Sequence, residues 1–587
     1  MPTESFFSQA SLALIASGGA EKDGKVYSMK PTDGTGDFTF SRGSNLAATR
    51  VGPTGLIEKG RENLLLQSNN FSVSWAKYLT SVTGGQSGYD GFSDAWRLNK
   101  TGAYGSIYQN VSVSGVNTFS FYAKADTFDY LFVYENIVTN AGFHIDLVSG
   151  TYYNPNATID IKTTSLANGW WRISMTFNGS GSIRLNLFPE DSVGGYTNTN
   201  LGSVLIQDAQ LEIGLAATEV IESGATKGKA GLLEQTPRFD YSGGATCPSL
   251  LLEGSRTNLV GYSEYFSASY WAKSGSSITS NAVISPDGGL NASKLVESTN
   301  NGVHRLRKAS LLTGSTEYTI SVFAKAGERT WLNMSENQVG ESWFDLGNGV
   351  TGTSSATASG MVAFANGWYI CWQTSTPTST GNVDLYTATD GSTKAYQGDG
   401  TSGIYIYGAQ AEQGSYATSY IPNHSGGTVT RAADDNVASG LSSVIGQAEG
   451  TIFVELDIDN LNGEYRRIIG VSDGTTDDSI QLILSPNGSL EAYIGQGGTY
   501  SVVYYGPILS TGVQKLAITY KTNEARIYRN GTLLTTDTSV VVPACSNLYL
   551  GKIPTASTAG VIGNKIKQSL LFDSALSNAD CITLTTL

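Results

Sequence analysis

A chain of 587 residues is too long for one hydrophobic core and implies roughly three or four domains. Its net charge of −14 argues against nucleic acid or an anionic membrane as partner, since both need a cationic surface. Charged residues at 15%, with 69 glycines and 31 tyrosines beside 3 histidines, argue against a helical protein or a His-ligated metal enzyme and favour short strands joined by tight turns.

From the N-terminus, the apolar run "SLALIASGG" begins at Ser11. No basic residue precedes it, so it makes a poor secretory signal, and it is too short to span a bilayer. A chain of this kind reaches a cell exterior by assembly into something larger. Residues 1–60 are read as an N-terminal attachment or connector segment. Within them, "DFTFSRGSNLAATRVGPTGLIE" (Asp37–Glu58) parallels "RFDYSGGATCPSLLLE" (Arg238–Glu253). Each is read as a connector that packs on the sandwich following it.

A tandem repeat follows. "GLIEKGRENLLLQSNNFSVSWAK" (Gly55–Lys77) matches "LLLEGSRTNLVGYSEYFSASYWAK" (Leu250–Lys273), and "ANGWW" returns as "ANGWY". Trp75, Lys124, Asp146, Trp170 and Gln210 recur in the same order as Trp271, Lys325, Asp345, Trp368 and Gln410, about 200 residues later. Residues 61–222 and 256–425 are therefore expected to be two copies of one antiparallel β-sandwich, a jelly roll, with 223–255 connecting them. In "NTFSFYAKA", Phe119, Phe121 and Ala123 alternate with other positions, the period of a strand with one buried face. Asn168-Gly169 and Asn366-Gly367 are turn signals. The tryptophans after them, Trp170 and Trp368, are read as packing anchors that plug one end of each sandwich, and Trp75 and Trp271 as packing residues too.

Residues 426–587 hold a third unit with the hairpin "ARIYRNGTLL" and a closing strand followed by "FDSALSNAD". These two features resemble concanavalin-like (laminin-G-like) lectin sandwiches. The expected fold class is all-β throughout.

Little points to catalysis. The four cysteines lack CxxC spacing, and His144, His304 and His424 lie apart. "GVSDG" (Gly470–Gly474) fits G-x-S-x-G, but a turn and a strand follow where a nucleophile elbow needs a helix. Asp146 and Asp345 precede glycine turns and suit turn caps. The chain is expected not to be an enzyme and to need no cofactor, although acidic turns such as "DGTTDD" (Asp473–Asp478) offer oxygen ligands for a structural Ca²⁺.

Binding candidates come from comparing the copies. "YLFVYEN" (Tyr130–Asn136) aligns with "WLNMSEN" (Trp331–Asn337). Leu131 and Val133 match Leu332 and Met334, which makes that face core. The opposite face carries Tyr130, Phe132 and Tyr134 in one copy but Trp331, Asn333 and Ser335 in the other. A ring can present a flat apolar surface to a pyranose, while amides and carboxylates bond its hydroxyls. Tyr130, Tyr134, Glu135, Asn136, Trp331, Asn333, Glu336 and Asn337 are the candidate carbohydrate-binding residues, with Tyr493, Tyr500 and Tyr504 near "GQGG" as a second group. The alternative is that this face packs against another domain or subunit.

"TPRFDYSGGATCPSLLLEGSRTNL" (Thr236–Leu259), "EYFSASYWAK" and the "FDL…GW" strands resemble segments recurring in tailed-phage and prophage virion proteins. The likeness covers about residues 37–425. It implies a virion appendage, a fibre or spike, made in the host cytoplasm. It also implies host-surface glycans as partners, attachment to other virion proteins through the N-terminal segment, and a homotrimer by analogy with phage fibres. A purely structural capsid or tail component and a capsule depolymerase remain the alternatives. A secreted carbohydrate-binding protein is a third, which the poor signal sequence argues against.

Overall fold

Antiparallel strands build nearly the whole of the computed structural model. It describes residues 5–18, 21–22, 25–43, 46–336, 339–459, 461, 465–552 and 564–587. Among these residues no helix is long and apolar enough to cross a membrane.

The first sandwich pairs two six-stranded sheets. One, the front sheet, runs Tyr152–Asn156, Gly142–Asp146, Tyr130–Glu135, Gly181–Glu190, Ser106–Val113 and Ala76–Tyr78. The other, the back sheet, runs Asp160–Ser165, Trp171–Asn178, Val116–Ala125, Gly202–Ile213, Ala95–Lys100 and Thr80–Gln86. Residues 272–413 form two more six-stranded sheets with the corresponding strand order, from Val350–Ser354 through Trp331–Ser335 to Ala272–Ser274 in the front one. The Asn-Gly turns enter corresponding back-sheet strands through left-handed residues: Asn168 at φ 60° and Gly169 at 76°, Asn366 at 59° and Gly367 at 74°.

The two copies share key buried hydrogen bonds. Asn63 Nδ2 donates to the carbonyls of Ala209 and Ile221, and Asn258 Nδ2 donates to those of Ala409 and Ile421. Thr218 N donates to Glu212 and Thr418 N to Glu412, at 2.8 and 2.7 Å. These buried polar groups fix where each closing strand crosses its entry strand, because leaving any of them unpaired costs about 1–3 kcal/mol.

Trp75 and Trp271 lie in the two sandwich cores, 2% and 1% exposed. Trp170 and Trp368 are also buried, but not as plugs at a sandwich end. They belong to separate clusters, Trp170 with Ala95 and Tyr122, Trp368 with Ile57, Ala292, Phe323, Tyr407 and Tyr420. Each sits just before a back-sheet strand and outside its sandwich core, and Ile57 of the first lead-in packs on Trp368.

The third sandwich corrects the reading of the connectors. Phe38–Ser41 pairs with Asp435–Ser439, Ser249–Leu252 pairs with Asn564–Phe572, and Leu12–Ile15 pairs with that same closing strand. Leu12, Leu14, Phe38, Phe40, Phe239, Leu250 and Leu252 share one core with Ile452, Ile518 and Leu548. The reason lies in the alternation of the lead-ins. Phe38 and Phe40 are buried while Thr39 and Ser41 are exposed, so the segment has one apolar face and an open backbone edge. The third sandwich satisfies both needs, whereas the sandwich next in sequence already has twelve strands of its own.

One buried ion cluster locks the lead-ins together. Arg238 pairs with Glu253 and Asp434, Arg431 with Glu253 at 2.9 Å, and Arg42 with Asp434 at 3.5 Å. None of these side chains is more than 6% exposed. Burial works against the Glu253 charge, but Arg431 and Arg238 more than offset it and hold the carboxyl well below the usual range.

Cys247 is exposed, while Cys371, Cys545 and Cys581 are buried and unpaired. Burial raises the pKa of each of these three thiols, those of Cys545 and Cys581 to about 12. A thiol reagent should therefore modify Cys247 alone in the native protein and reach the others only on unfolding, as mass spectrometry of labelled peptides would read.

Candidate functional site

Most acidic site candidates are consumed by the fold. Asp146 Oδ1 accepts from the N–H groups of Val148 and Ser149, and Asp345 Oδ1 from those of Gly347 and Asn348, the turn caps the sequence suggests. Glu135 is fully buried and accepts backbone hydrogen bonds from Ile137, Val138, Thr139 and Asn140. Burial opposes its charge, but these donors and the Thr139 hydroxyl more than offset it and hold its carboxyl below the usual range. Glu336 is buried in the same way and accepts from Val339 N and Gly340 N at 2.6 and 2.9 Å. Both glutamates are buried and bonded to the loop leaving their strand, so neither is an open polar contact on the face, which corrects that expectation. Asn136 accepts from Asn186 Nδ2 at 3.2 Å, and Asn337 lies outside the described residues.

Leu131, Val133, Leu332 and Met334 are core, as their alternation predicts. The opposite faces differ. In the second copy Trp331 is half-buried and packs against two glycines: a Cβ at Gly352 would come 3.1 Å from its ring, and one at Gly391 2.9 Å. Asn333 is fully buried and donates to Glu341 Oε1 at 2.9 Å. Its cross-strand neighbours Trp343 and Tyr386 are also buried. Lys394 lies 5.0 Å from the Tyr386 ring and pairs with Glu341, and Arg307 pairs with Asp384. Asn333 is therefore no open polar contact, because the face closes over it with its own ion pairs.

In the first copy the face is an aromatic ladder. Register aligns His144, Phe132 and Phe188 across three strands. Phe132 stacks on His144 at 4.3 Å between centroids, on Tyr134 at 5.1 Å and on Phe188 at 5.6 Å, and Tyr196 lies 4.8 Å from it. Tyr104 meets the Tyr196 edge and is 52% exposed. Phe132, Tyr134, Tyr196 and Tyr130 are half-buried, leaving part of each ring to solvent.

Glu190, itself fully buried, organises this ladder. Its Oε1 lies 2.6 Å from His144 Nδ1, and its Oε2 accepts from the N–H groups of Gly194 and Tyr196. One carboxylate thus fixes the histidine ring and the turn that carries Tyr196. Lys100 Nζ supports that turn by donating to Gly195 O at 2.8 Å. Rings held this way need little ordering to meet an apolar ligand face, and the exposed Asn140 and the Tyr134 hydroxyl bonded to it border them with hydrogen-bonding groups, whereas Asn186 is buried and taken up by Tyr134 O, Asn136 and Arg184 O.

Phe188, Tyr196 and His144 were not among the candidates. They come from three separate segments, and cross-strand register, invisible in a single sequence, brings them together.

In the third sandwich Tyr493 is half-buried and donates to Glu491 Oε2 at 2.7 Å, and Tyr500 is exposed. Tyr504 instead packs on the core, which corrects its place in that group. A register shift between Ala492 and Tyr493 sets Tyr500 opposite Gly495 but Tyr504 opposite Ala492, so the two tyrosines fall on different faces. Ser472 of "GVSDG" ends a strand and is buried, and the next element is the strand Ser479–Leu484, so no nucleophile elbow forms. Among the described residues no three His, Cys, Asp or Glu side chains are grouped to hold a metal.

No protein-family model and no characterised protein sequence matches the chain. Among solved structures it is similar to the carbohydrate-binding module of a Ruminococcus gnavus sialidase bound to α2,3-sialyllactose, at 18% identity and TM-score 0.23, over 25% of this chain and 91% of that one. It is similar to the NanB sialidase of Streptococcus pneumoniae at 15% identity and TM-score 0.22, over 26% of each chain. The botulinum neurotoxin serotype D binding domain is a third such structure, at 16% identity and TM-score 0.21, over 26% of this chain and 40% of that one.

Proposed function

We propose that the protein is a non-catalytic glycan-binding adhesin whose first sandwich carries the binding face. The observation that carries this reading is the aromatic ladder of Phe132, His144, Phe188, Tyr134 and Tyr196, fixed from beneath by the buried Glu190. The solvent-facing parts of Phe132, Tyr134 and Tyr196 offer apolar surface to the C–H groups of sugar rings, and the exposed Asn140 amide at their margin suits a hydroxyl. The likeness of residues 37–425 to tailed-phage appendage segments supplies the setting: a fibre or spike on a virion, displayed as a homotrimer and directed at host-surface glycans. Several weak sites on one particle then add through avidity. The second sandwich, whose face is closed by its own ion pairs, serves as a spacer.

A glycan array followed by titration of the best ligand tests this. Phe132→Ala should weaken binding about tenfold, the loss of roughly 1.4 kcal/mol of ring contact. Trp331→Ala should leave binding unchanged. Equal binding by wild type and Phe132→Ala would place the glycan away from the ladder, and no glycan bound at all would favour a purely structural component.

A further inference from the structure

The duplication allows the two junctions of the chain to be compared position by position. At the second junction, Tyr416 fills the space between sandwiches. Its ring lies 5.2 Å from the Arg256 guanidinium and 5.9 Å from that of Arg466 in the third unit. Arg256 itself pairs in register with Arg431, which is fully buried.

Of Arg256, Tyr416 and Arg431, the first junction keeps the first and lacks the other two. Arg61 corresponds to Arg256, since each precedes the repeated asparagine, Asn63 or Asn258, by two residues. The residue matching Tyr416 is Ala216, two past Gly214 as Tyr416 is two past Gly414. The residue facing Arg61 across the strand pair is Ala230, where the second junction has Arg431. Two large side chains have become alanines, and an open cleft of 1170 Å³ lies here, lined by Arg61, Arg172, Lys162, Leu64, Ala216 and Ala217 among others. That is above the roughly 300–1,000 Å³ usual for ligand sites, so the cleft has room for more than one sugar ring.

The charges in the cleft are unevenly matched. Lys59 is held by Asp287, Arg50 by Glu58 and Lys229 by Glu234. Glu212 is taken up by Thr218 and Gln210, and Glu219 stands exposed at the rim. Arg61 has no side-chain hydrogen bond or ion pair among the described residues. Arg172 donates only to the Thr218 carbonyl, and its Nε is buried without an acceptor. Glu62, which also lines the cleft, pairs with Lys227, and Arg172 lies 5.6 Å from the Tyr122 ring. Arg61 therefore borders the cleft with no ion pair of its own among the described residues, although a guanidinium pairs best with a planar carboxylate.

We infer that this cleft binds a carboxylate-bearing pyranose, a uronic-acid unit of an acidic polysaccharide, with Arg61 as the carboxylate contact and the ring lying where Tyr416 lies in the second junction. The site is independent of the aromatic ladder and adds acidic glycans to the ligands of the chain.

Calorimetric titration of the full chain with oligogalacturonate tests it, with a neutral cello-oligosaccharide and polyglutamate as controls. Wild type and Phe132→Ala should bind oligogalacturonate equally, which separates this site from the ladder. Arg61→Gln should weaken binding about tenfold. Ala216→Tyr should abolish binding while melting at or above the wild-type temperature, because it fills the void as the second junction does. Unchanged binding by Ala216→Tyr or Arg61→Gln, equal binding of either control by Phe132→Ala, or no binding of oligogalacturonate by wild type would overturn the inference.

Discussion

Replacing Arg238 by methionine should destabilise the protein by about 3–5 kcal/mol, because it leaves Glu253 and Asp434 buried without their shared cation. Arg238 makes charge-assisted contacts to both carboxylates and to the Ser419 hydroxyl, and none of its surface reaches water. Methionine fills similar volume, so the loss reads the charge and not a cavity. The comparison is Arg50→Met, which breaks the part-exposed Arg50–Glu58 pair and should cost 1 kcal/mol at most, roughly. Urea unfolding followed in the third sandwich would measure both; a multi-unit chain need not unfold in one step, so the probe must report that unit. Acid gives a second reading. Glu253 is held below its unfolded range, so its contribution is complete above the unfolded pKa near about 4.3 and is lost as pH falls toward the folded value. The gap between wild type and Arg238→Met should therefore narrow below about pH 4. A destabilisation under about 1 kcal/mol at neutral pH would mean that the cluster is no keystone.

The same cluster marks how far the sequence could be read. The duplication was legible because its anchors are side chains with one strict geometric role each. Asn63 and Asn258, Gln210 and Gln410, and the Asn-Gly pairs recur with their bonds intact. The antiparallel sandwich class followed from period-two alternation, as at Phe119 and Phe121, both core residues. The role of the lead-ins was not legible. Alternation in "FTF" shows that Phe38 and Phe40 want cover, but nothing local says that Asp435–Ser439, some 400 residues away, provides it. Arg42, Arg238 and Arg431 each look like surface arginines in their own segments, and only their convergence on Glu253 and Asp434 makes them interior. The candidate face divided the same way. The core side of "YLFVYEN" was readable from Leu131 and Val133, whereas Phe188 and Tyr196 join the ladder through register and a turn. Asn333 and Glu135 were misread because a polar residue next to an exposed ring looks like a sugar contact until its own hydrogen-bond partners are known.

Trp368→Ala is the other change expected to be large, about 3–5 kcal/mol, and its effect should spread beyond its own sandwich. Trp368 is fully buried among Phe323, Tyr407, Tyr420 and Ile57, and its Nε1 donates to Ile284 O at 3.1 Å. Ile57 belongs to the first lead-in, and its N–H is bonded to Pro286 O at 2.8 Å. Deleting the indole removes the surface on which that lead-in rests and leaves the Ile284 carbonyl without its donor. The repeat supplies an internal control. Trp170 is the matching residue, yet its cluster contains only Ala95 and Tyr122 as further buried members, all within one sandwich. Its cavity can collapse toward half-buried neighbours such as Val220, so Trp170→Ala should cost less, nearer ~3 than ~5 kcal/mol. Limited proteolysis distinguishes the two further. Trp368→Ala should expose the loop between Thr49–Val51 and Ile57–Asn63 to cleavage, and Trp170→Ala should not. If both variants are cut equally slowly there, Ile57 is held by its backbone bonds alone, and the two sandwiches are coupled through the ion pair of Lys59 with Asp287 instead of through the tryptophan.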